Sequence, residues 1–106
     1  MSSLVGVAGC NGNMGRRYVA ILKSLEVNYL GWDYEDYKPY DHQFINKLKE
    51  CTHFIIATPT KFHIEGIRYL ATFAKPILCE KPIALDQNSL MALSDIYLAH
   101  PDLKLQ

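Results

Sequence analysis

A short loop near the N-terminus carries glycines at a spacing that could bind phosphate. Gly9, Gly12 and Gly15 follow one another at intervals of three residues, between an apolar run and a segment of helical period. Glycine lets the backbone turn tightly out of a strand and approach a pyrophosphate, while the N–H groups of the next helix face the phosphate oxygens. This context predicts a dinucleotide-binding site. The other loop residues expected beside the phosphates are Asn11, Asn13 and Met14.

An acidic residue after the second apolar run supports the same prediction. Asp33 follows the glycines by roughly twenty positions, where a carboxylate binds the ribose hydroxyls of adenosine. It favours NAD over NADP because a carboxylate repels a 2′-phosphate and no Arg or Lys follows at once. Glu35 and Asp36 are alternatives if the strand boundary is shifted. The loop is one residue longer than the common GxGxxG spacing, and a plain structural turn is the alternative interpretation of its glycines.

The alternation of apolar runs and helical segments predicts how these residues are positioned. The predicted strands are SLVGVAG, VNYLGWD, THFIIATPT and KPILCE, with DLKLQ as the start of one more. The predicted helices begin near Met14, after an N-cap at Asp41, at His63 and near Ser89, the last capped by Asp86 or Asn88. Such alternation is typical of parallel strands with crossover helices. We therefore expect an α/β fold, a Rossmann-type doubly wound parallel sheet of about four or five strands in three layers.

Two further patterns concern side chains. The first helix is predicted to bury an apolar stripe, which consists of Met14, Tyr18, Ile21, Leu22 and Leu25. Tyrosines cluster around the second strand, where they could line an adenine site, a subunit contact or an ordinary half-buried surface. They are Tyr29, Tyr34, Tyr37 and Tyr40.

Polar residues end two strands in the second half of the chain. FIIATPTKFH ends its strand in Ala57-Thr58-Pro59 and reaches His63 at the start of a helix. ILCEKP ends the next strand in Glu80-Lys81-Pro82. In order, content and separation these stretches resemble the N-terminal domain of the glucose–fructose oxidoreductase, inositol dehydrogenase and MocA family.

The resemblance implies an NAD(P)-dependent oxidoreductase that transfers hydride between a nicotinamide cofactor and a sugar, polyol or other small hydroxy compound. Lys81 would be the catalytic lysine beside the nicotinamide, where it could hold the substrate oxygen and assist proton transfer. Thr58, Pro59 and His63 would shape the cofactor pocket. Glu80 would contact the nicotinamide ribose.

Two departures from the family pattern bear on this expectation. Between Asp33 and THFIIATP there is room for only one short helix, so the usual extra strand on that side should be missing or vestigial. We also expect residues 1–106 to form one minimal domain, without the substrate-binding domain that supplies an acid/base histidine in the family. Lys81 is then half of a site that another chain completes, and open apolar surface favours a homo-oligomer or a partner protein. The alternatives are a non-catalytic dinucleotide- or partner-binding module and a fragment of a larger dehydrogenase.

The composition narrows the classes of function. The chain has 106 residues, with 11 acidic and 11 basic side chains, so we expect neither nucleic acid nor an anionic membrane as a partner. It has no run of about eighteen apolar residues and no signal-peptide pattern at its start. Cys10, Cys51 and Cys79 form no CxxC pair and no zinc-binding spacing. We therefore expect reduced thiols, no metal site and a soluble cytoplasmic protein.

Overall fold

A computed structural model describes residues 3–83 and 86–106, with Tyr34 described by its backbone alone. The strands are β1 (Leu4–Ala8), β2 (Asn28–Trp32), β3 (His53–Ile56) and β4 (Ile77–Cys79). The helices are α1 (Asn13–Ser24), α2 (His42–Lys49), α3 (His63–Ala71) and α4 (Gln87–Ala99). Single 3₁₀ turns at Tyr34–Asp36 and Thr60–Phe62 follow β2 and β3. No helix among the described residues is long and apolar enough to cross a membrane.

The strands form one parallel sheet in the order β2-β1-β3-β4. Gly6 of β1 lies between Leu30 of β2 and Phe54 of β3. Leu105 adds a parallel bridge beside Ile77 on the far side of β4, which is the start of a fifth strand. The predicted sheet of four or five strands is therefore confirmed. Within the described residues β2 is an edge, so the extra strand expected to be missing is not there.

Two cores lie on opposite faces of the sheet. The chain passes from β1 to β2 in one direction and then past β1 to β3 and β4 in the other. Because crossovers between parallel strands are right-handed, α1 covers one face and the later helices cover the other. The larger core lies under α2, α3 and α4, and its buried helical residues include Leu48, Ile67, Leu70 and Ile96. The smaller core under α1 is formed by Val5, Val7 and Leu22.

Carboxylate caps start two of the helices as predicted. The side chain of Asp41 accepts a hydrogen bond of 3.1 Å from the Phe44 N–H at the start of α2. Asp86, rather than Asn88, caps α4 and accepts a 2.7 Å bond from the Ser89 N–H. That bond lowers the pKa of the Asp86 carboxyl, because a backbone donor stabilises its charged form.

The predicted buried stripe of α1 is wrong in part. Gly15 and Leu22 are buried against the sheet, but Ile21 and Leu25 are 52% and 65% exposed. Tyr18 lies between these directions around the helix and reaches towards the end of β4. The exposed part of the stripe therefore does not pack against the sheet.

Candidate functional site

Two glycines of the loop are required by the packing of the protein itself. Gly9 follows β1 with φ of 81°, and its N–H donates a 2.8 Å bond to the Trp32 carbonyl. A Cβ at Gly9 would stand 2.8 Å from the carbonyl atoms of Ala57. A Cβ at Gly15 would stand 1.8 Å from the Gly9 oxygen, so α1 can approach β1 this closely only with glycine there.

Gly12 is different because the described residues leave room for a side-chain carbon beside it. A Cβ there would meet no atom nearer than 3.5 Å, and its φ of −75° suits any residue. Gly12 is the N-cap of α1, offers no side-chain cap and precedes a first turn without acidic residues. The N–H groups of Asn13 and Met14 lack acceptors within the helix. Gly12 and the exposed Asn11 and Asn13 thus leave an open surface before a helix N-terminus, which suits an anion.

Asp33 joins the end of β2 to this loop. One carboxylate oxygen accepts a 3.3 Å bond from the Asn11 N–H, and the other lies 3.7 Å from the Cys10 thiol. Burial, followed by the charge of Asp33, raises the pKa of the Cys10 thiol. The thiol therefore stays protonated and donates to the carboxylate. These contacts hold Asp33 beside the loop, at the position that the sequence predicted.

A cleft of about 320 Å³ opens where the direction of the strand order reverses. It lies between the carboxyl ends of β1 and β3, the place where open α/β sheets bind ligands. Its walls are mostly apolar, and they include Ala8, Trp32, Ile56, Pro59 and Phe62. Asp33 and Thr58 also line it. A mostly apolar cleft with a few polar groups is the usual form of a small-molecule site.

Thr58 brings an unsatisfied donor to the wall of this cleft. Its hydroxyl oxygen is buried and has no hydrogen-bond partner among the described residues. A buried polar atom without a partner costs about 1–3 kcal/mol. Because the oxygen itself is covered, a ligand in the cleft could bond to it only after the Thr58 side chain turned.

The tyrosines near β2 do not act as one group. Tyr37 lines the cleft, and burial, followed by the charge of Glu65, raises its pKa to about 12. Tyr29 lines a separate groove beside α1, and Tyr40 is 93% exposed. The side chain of Tyr34 lies outside the described part of the chain. Among the three tyrosines whose side chains are described, Tyr37 is placed to contact a ligand in the cleft.

His63 contacts both of the connections that follow β3 and β4. The ring is 1% exposed, and its nitrogens lie 2.7 Å from the Thr58 carbonyl and 3.0 Å from the Pro82 carbonyl. These carbonyls belong to the connections after β3 and β4. The ring supports both connections rather than opening into the cleft.

Glu80 and Lys81 follow β4 at the same edge of the sheet. Lys81 is exposed and is joined to Pro82 by a cis peptide bond. Glu80 is half-buried, and its N–H donates a 3.1 Å bond to the Ile56 carbonyl. Its carboxylate accepts a hydrogen bond from the Tyr18 hydroxyl of α1. Burial, followed by the bond to Glu80, raises the pKa of Tyr18 to about 12.

Sequence reasoning did not include Tyr18 in the site. It lies 62 residues from Glu80, and it was assigned to the buried stripe of α1 because its spacing fits that stripe. Phe62 and Trp32 of the cleft were also missed. No pattern in the sequence distinguishes these residues from ordinary core aromatics.

The other histidines do not line the cleft, and two cysteines are buried in the core. His42 begins α2, His53 begins β3 and His100 follows the end of α4. Cys51 and Cys79 are free thiols in the core, and burial followed by a neighbouring glutamate raises the pKa of each to about 11. In residues 3–83 and 86–106 no three His, Cys, Asp or Glu side chains come together as a possible metal site.

The fold and its cleft define an α/β protein of Rossmann type, and comparisons with known proteins agree on the fold. No protein-family model matches the sequence, and no curated protein matches it. Similar solved structures include scyllo-inositol dehydrogenase from Lactobacillus casei with NAD(H) and scyllo-inositol, at 19% identity and a TM-score of 0.65. UDP-N-acetylglucosamine 3-dehydrogenase from Acidithiobacillus ferrooxidans is 19% identical, with a TM-score of 0.72. A putative NADPH-dependent oxidoreductase from Desulfitobacterium hafniense is 18% identical, also with a TM-score of 0.72.

The aligned region covers nearly all of this chain but only a minority of each similar solved chain. The matches cover 100%, 99% and 99% of the present chain, in the same order, but only 36%, 38% and 34% of the solved chains. The present chain therefore spans little more than a third of the length of the structures it resembles. At identities this low, the likeness shows the Rossmann-type fold.

Proposed function

We propose that this chain binds a nicotinamide adenine dinucleotide along the carboxyl edge of its sheet. The observation that carries the proposal is the cleft of about 320 Å³ at the reversal of strand order, with the open surface of Gly12 beside it. The NAD(H) held by the similar inositol dehydrogenase supports the same ligand class.

Each part of the cofactor has residues of suitable chemistry. The adenine would lie in the apolar cleft, and Asp33 would accept hydrogen bonds from the adenosine ribose. The loop from Gly9 to Gly15 and the N-terminus of α1 would hold the pyrophosphate. Pro59 would shape the pocket, His63 would hold its wall in place from below, and Glu80 would accept from the nicotinamide ribose.

Asp33 favours NAD over NADP. Its carboxylate is held beside the loop by the Asn11 N–H, so it cannot easily turn away from a 2′-phosphate. Calorimetric titration with NAD, NADH, NADP and NADPH tests this choice, with the expectation that the two forms without the 2′-phosphate bind at least tenfold more tightly. Equal affinity for NADP would show that Asp33 does not select the cofactor.

We further propose that the chain is an oxidoreductase domain of the glucose–fructose oxidoreductase, inositol dehydrogenase and MocA type. Support comes from the motifs that end in Pro59 and Pro82, which follow the adjacent strands β3 and β4. It also comes from the names of the similar solved structures, which include dehydrogenases of an inositol and of a nucleotide sugar. The proposed substrate is a sugar, polyol or other small hydroxy compound.

Lys81 is the proposed catalytic residue. A nicotinamide cofactor, when bound, would supply or accept the hydride. The exposed ammonium of Lys81 would hold the substrate oxygen and exchange a proton with it. Lys81→Ala should lose turnover on a panel of polyols and sugars while its affinity for NAD stays within about twofold of wild type. Unchanged turnover would remove Lys81 from the chemistry.

None of the histidines is placed for acid/base chemistry in the cleft. His63 is occupied by two carbonyls, and the other three histidines of the sequence lie away from the cleft. We propose a second copy or a partner protein as the source of a second acid/base group, and a native mass measured by light scattering against the 12.1 kDa of one chain tests for the second copy.

A non-catalytic dinucleotide-binding module is the second candidate function. The observation that favours it is that no histidine lines the cleft and that His63 is bonded to two carbonyls. NAD binding without turnover on any substrate of the panel, in the oligomer and in the monomer, would support this candidate instead.

A further inference from the structure

Tyr18 connects two parts of the candidate site that lie far apart in the sequence. It lies in the second turn of α1, the helix whose N-terminus faces the glycine loop. Its hydroxyl donates to Oε1 of Glu80, at the end of β4 and next to Lys81. One side-chain hydrogen bond therefore joins the proposed phosphate helix to the proposed nicotinamide end.

This bond determines how the Glu80 carboxylate is presented. Oε1 accepts the phenol hydrogen, so the second oxygen remains for another donor. The backbone of Glu80 is fixed by its bond to the Ile56 carbonyl, and the side chain is half-buried. A charged acceptor with one oxygen already bonded has few orientations left.

Tyr18 remains a donor over the working pH range of a protein. Burial raises its pKa to about 12, and the neighbouring carboxylate acts in the same direction. A group whose pKa is raised in this way keeps its proton well above neutral pH. The direction of the bond, from phenol to carboxylate, is therefore fixed.

We propose that Tyr18 is a positioning residue, which orients Glu80 so that its free oxygen accepts from the nicotinamide ribose of the bound cofactor. The inference rests on the proposed function, because it needs a dinucleotide at this edge. It extends that function to a residue outside the motifs, on a helix otherwise assigned to the phosphates. Without the phenol, the carboxylate loses a bond that organises it before the ligand arrives, which lowers affinity.

The test compares two ligands that differ at the nicotinamide end. NAD carries the nicotinamide ribose, whereas ADP carries only the adenosine and pyrophosphate. Titration calorimetry with each ligand is applied to wild type, Tyr18→Phe, Glu80→Ala and the double variant. Tyr40→Phe is the matched control, since Tyr40 is 93% exposed and lies outside the site. Thermal unfolding of each variant checks that it is folded.

Tyr18→Phe should weaken NAD about fivefold to tenfold and leave ADP within about twofold of wild type, because the change disorders one acceptor without removing it. In the Glu80→Ala background the same change should have no further effect, because Tyr18 acts through that carboxylate. Tyr40→Phe should change neither affinity. An equal loss for ADP and NAD would assign Tyr18 to the packing of α1 and overturn the proposal. So would NAD affinity unchanged in Tyr18→Phe while wild type binds NAD. Wild type that binds neither ligand would overturn the proposed function and this inference together.

Discussion

At the scale of single residues, Gly12 and Gly15 are glycines for different physical reasons. Gly15 has no room for a Cβ, because the Gly9 oxygen stands 1.8 Å from where it would lie. Gly12 has room for one, with no atom nearer than 3.5 Å. The packing of the protein explains the first glycine, and the proposed dinucleotide would explain the second.

This difference predicts that alanine at the two positions changes the free energy of unfolding by different amounts. Gly15→Ala should lower the free energy of unfolding by more than about 2 kcal/mol, because the backbone must shift to accept the methyl group. Gly12→Ala should change it by less than about 0.5 kcal/mol. Urea unfolding monitored by circular dichroism measures both. A similar loss in the two variants would mean that the loop is packed differently from the structure described.

Several residues of the candidate site were predictable because their chemistry is local. The glycines, Asp33 and the ends of β3 and β4 stand out from the apolar runs that precede them. The contacts of Tyr18 and His63 were not predictable, since they depend on partners 62 and 19 residues away. Whether a tyrosine packs in the core or donates to a carboxylate is decided by which strand end lies beside it.

At the scale of elements, α2 shows how a short segment can still form a helix. It has only eight residues, and its length alone gives it little stability. The Asp41 cap fixes where it begins, and the fully buried Leu48 anchors its end in the larger core. The cap was predicted from the sequence, which is why the start of this element was predicted correctly.

Removing the cap should therefore weaken the whole domain. Asp41→Ala is expected to lower the free energy of unfolding by about 1 kcal/mol, through loss of the bond to the Phe44 N–H. The control is Gln43→Ala in the first turn of the same helix, also exposed, which should change it by less than about 0.5 kcal/mol. Equal effects of the two substitutions, measured by urea unfolding, would show that the cap does not stabilise α2.

The prediction for α1 was wrong in part because the spacing of apolar residues defines a face of the helix but does not show which element packs on that face. Helical periodicity selected Ile21 and Leu25 together with Leu22. In the fold α1 lies alone on its face among the described elements and touches the sheet through a narrower strip. The number of helices on each face follows from the strand order, which local patterns do not contain.

At the scale of the whole molecule, thiols and phenols whose pKa values are raised by burial make the stability depend on pH above neutrality. The pKa values of Cys51 and Cys79 are raised from 9.0 to about 11, and those of Tyr18 and Tyr37 from 10.0 to about 12. Above pH 9 the unfolded chain releases these protons first, so ionisation favours unfolding. The stabilisation is complete below pH 9 and is lost as the pH rises through the raised pKa values.

The expected result is an unfolding free energy that is nearly constant from pH 7 to 9 and falls from about pH 9 to 12. Urea unfolding across this range measures it. The unfolding free energy of Cys79→Ala should fall less steeply than that of wild type between about pH 9 and 11, because one of the titrating thiols has been removed. A wild-type free energy that does not fall above pH 9 would contradict the burial of these side chains.

The Rossmann-type sheet places the glycine loop, Asp33, Thr58 and the end of β4 along one edge. We propose that this edge binds NAD. Calorimetric titration of wild type and Gly12→Ala with NAD tests this proposal most directly, because the substitution should not disturb the packing of the ligand-free protein. We predict saturable binding by wild type and at least a tenfold loss in Gly12→Ala, with both proteins unfolding at the same urea concentration. No binding of NAD by folded wild type, or equal affinity in the two proteins, would contradict the proposal.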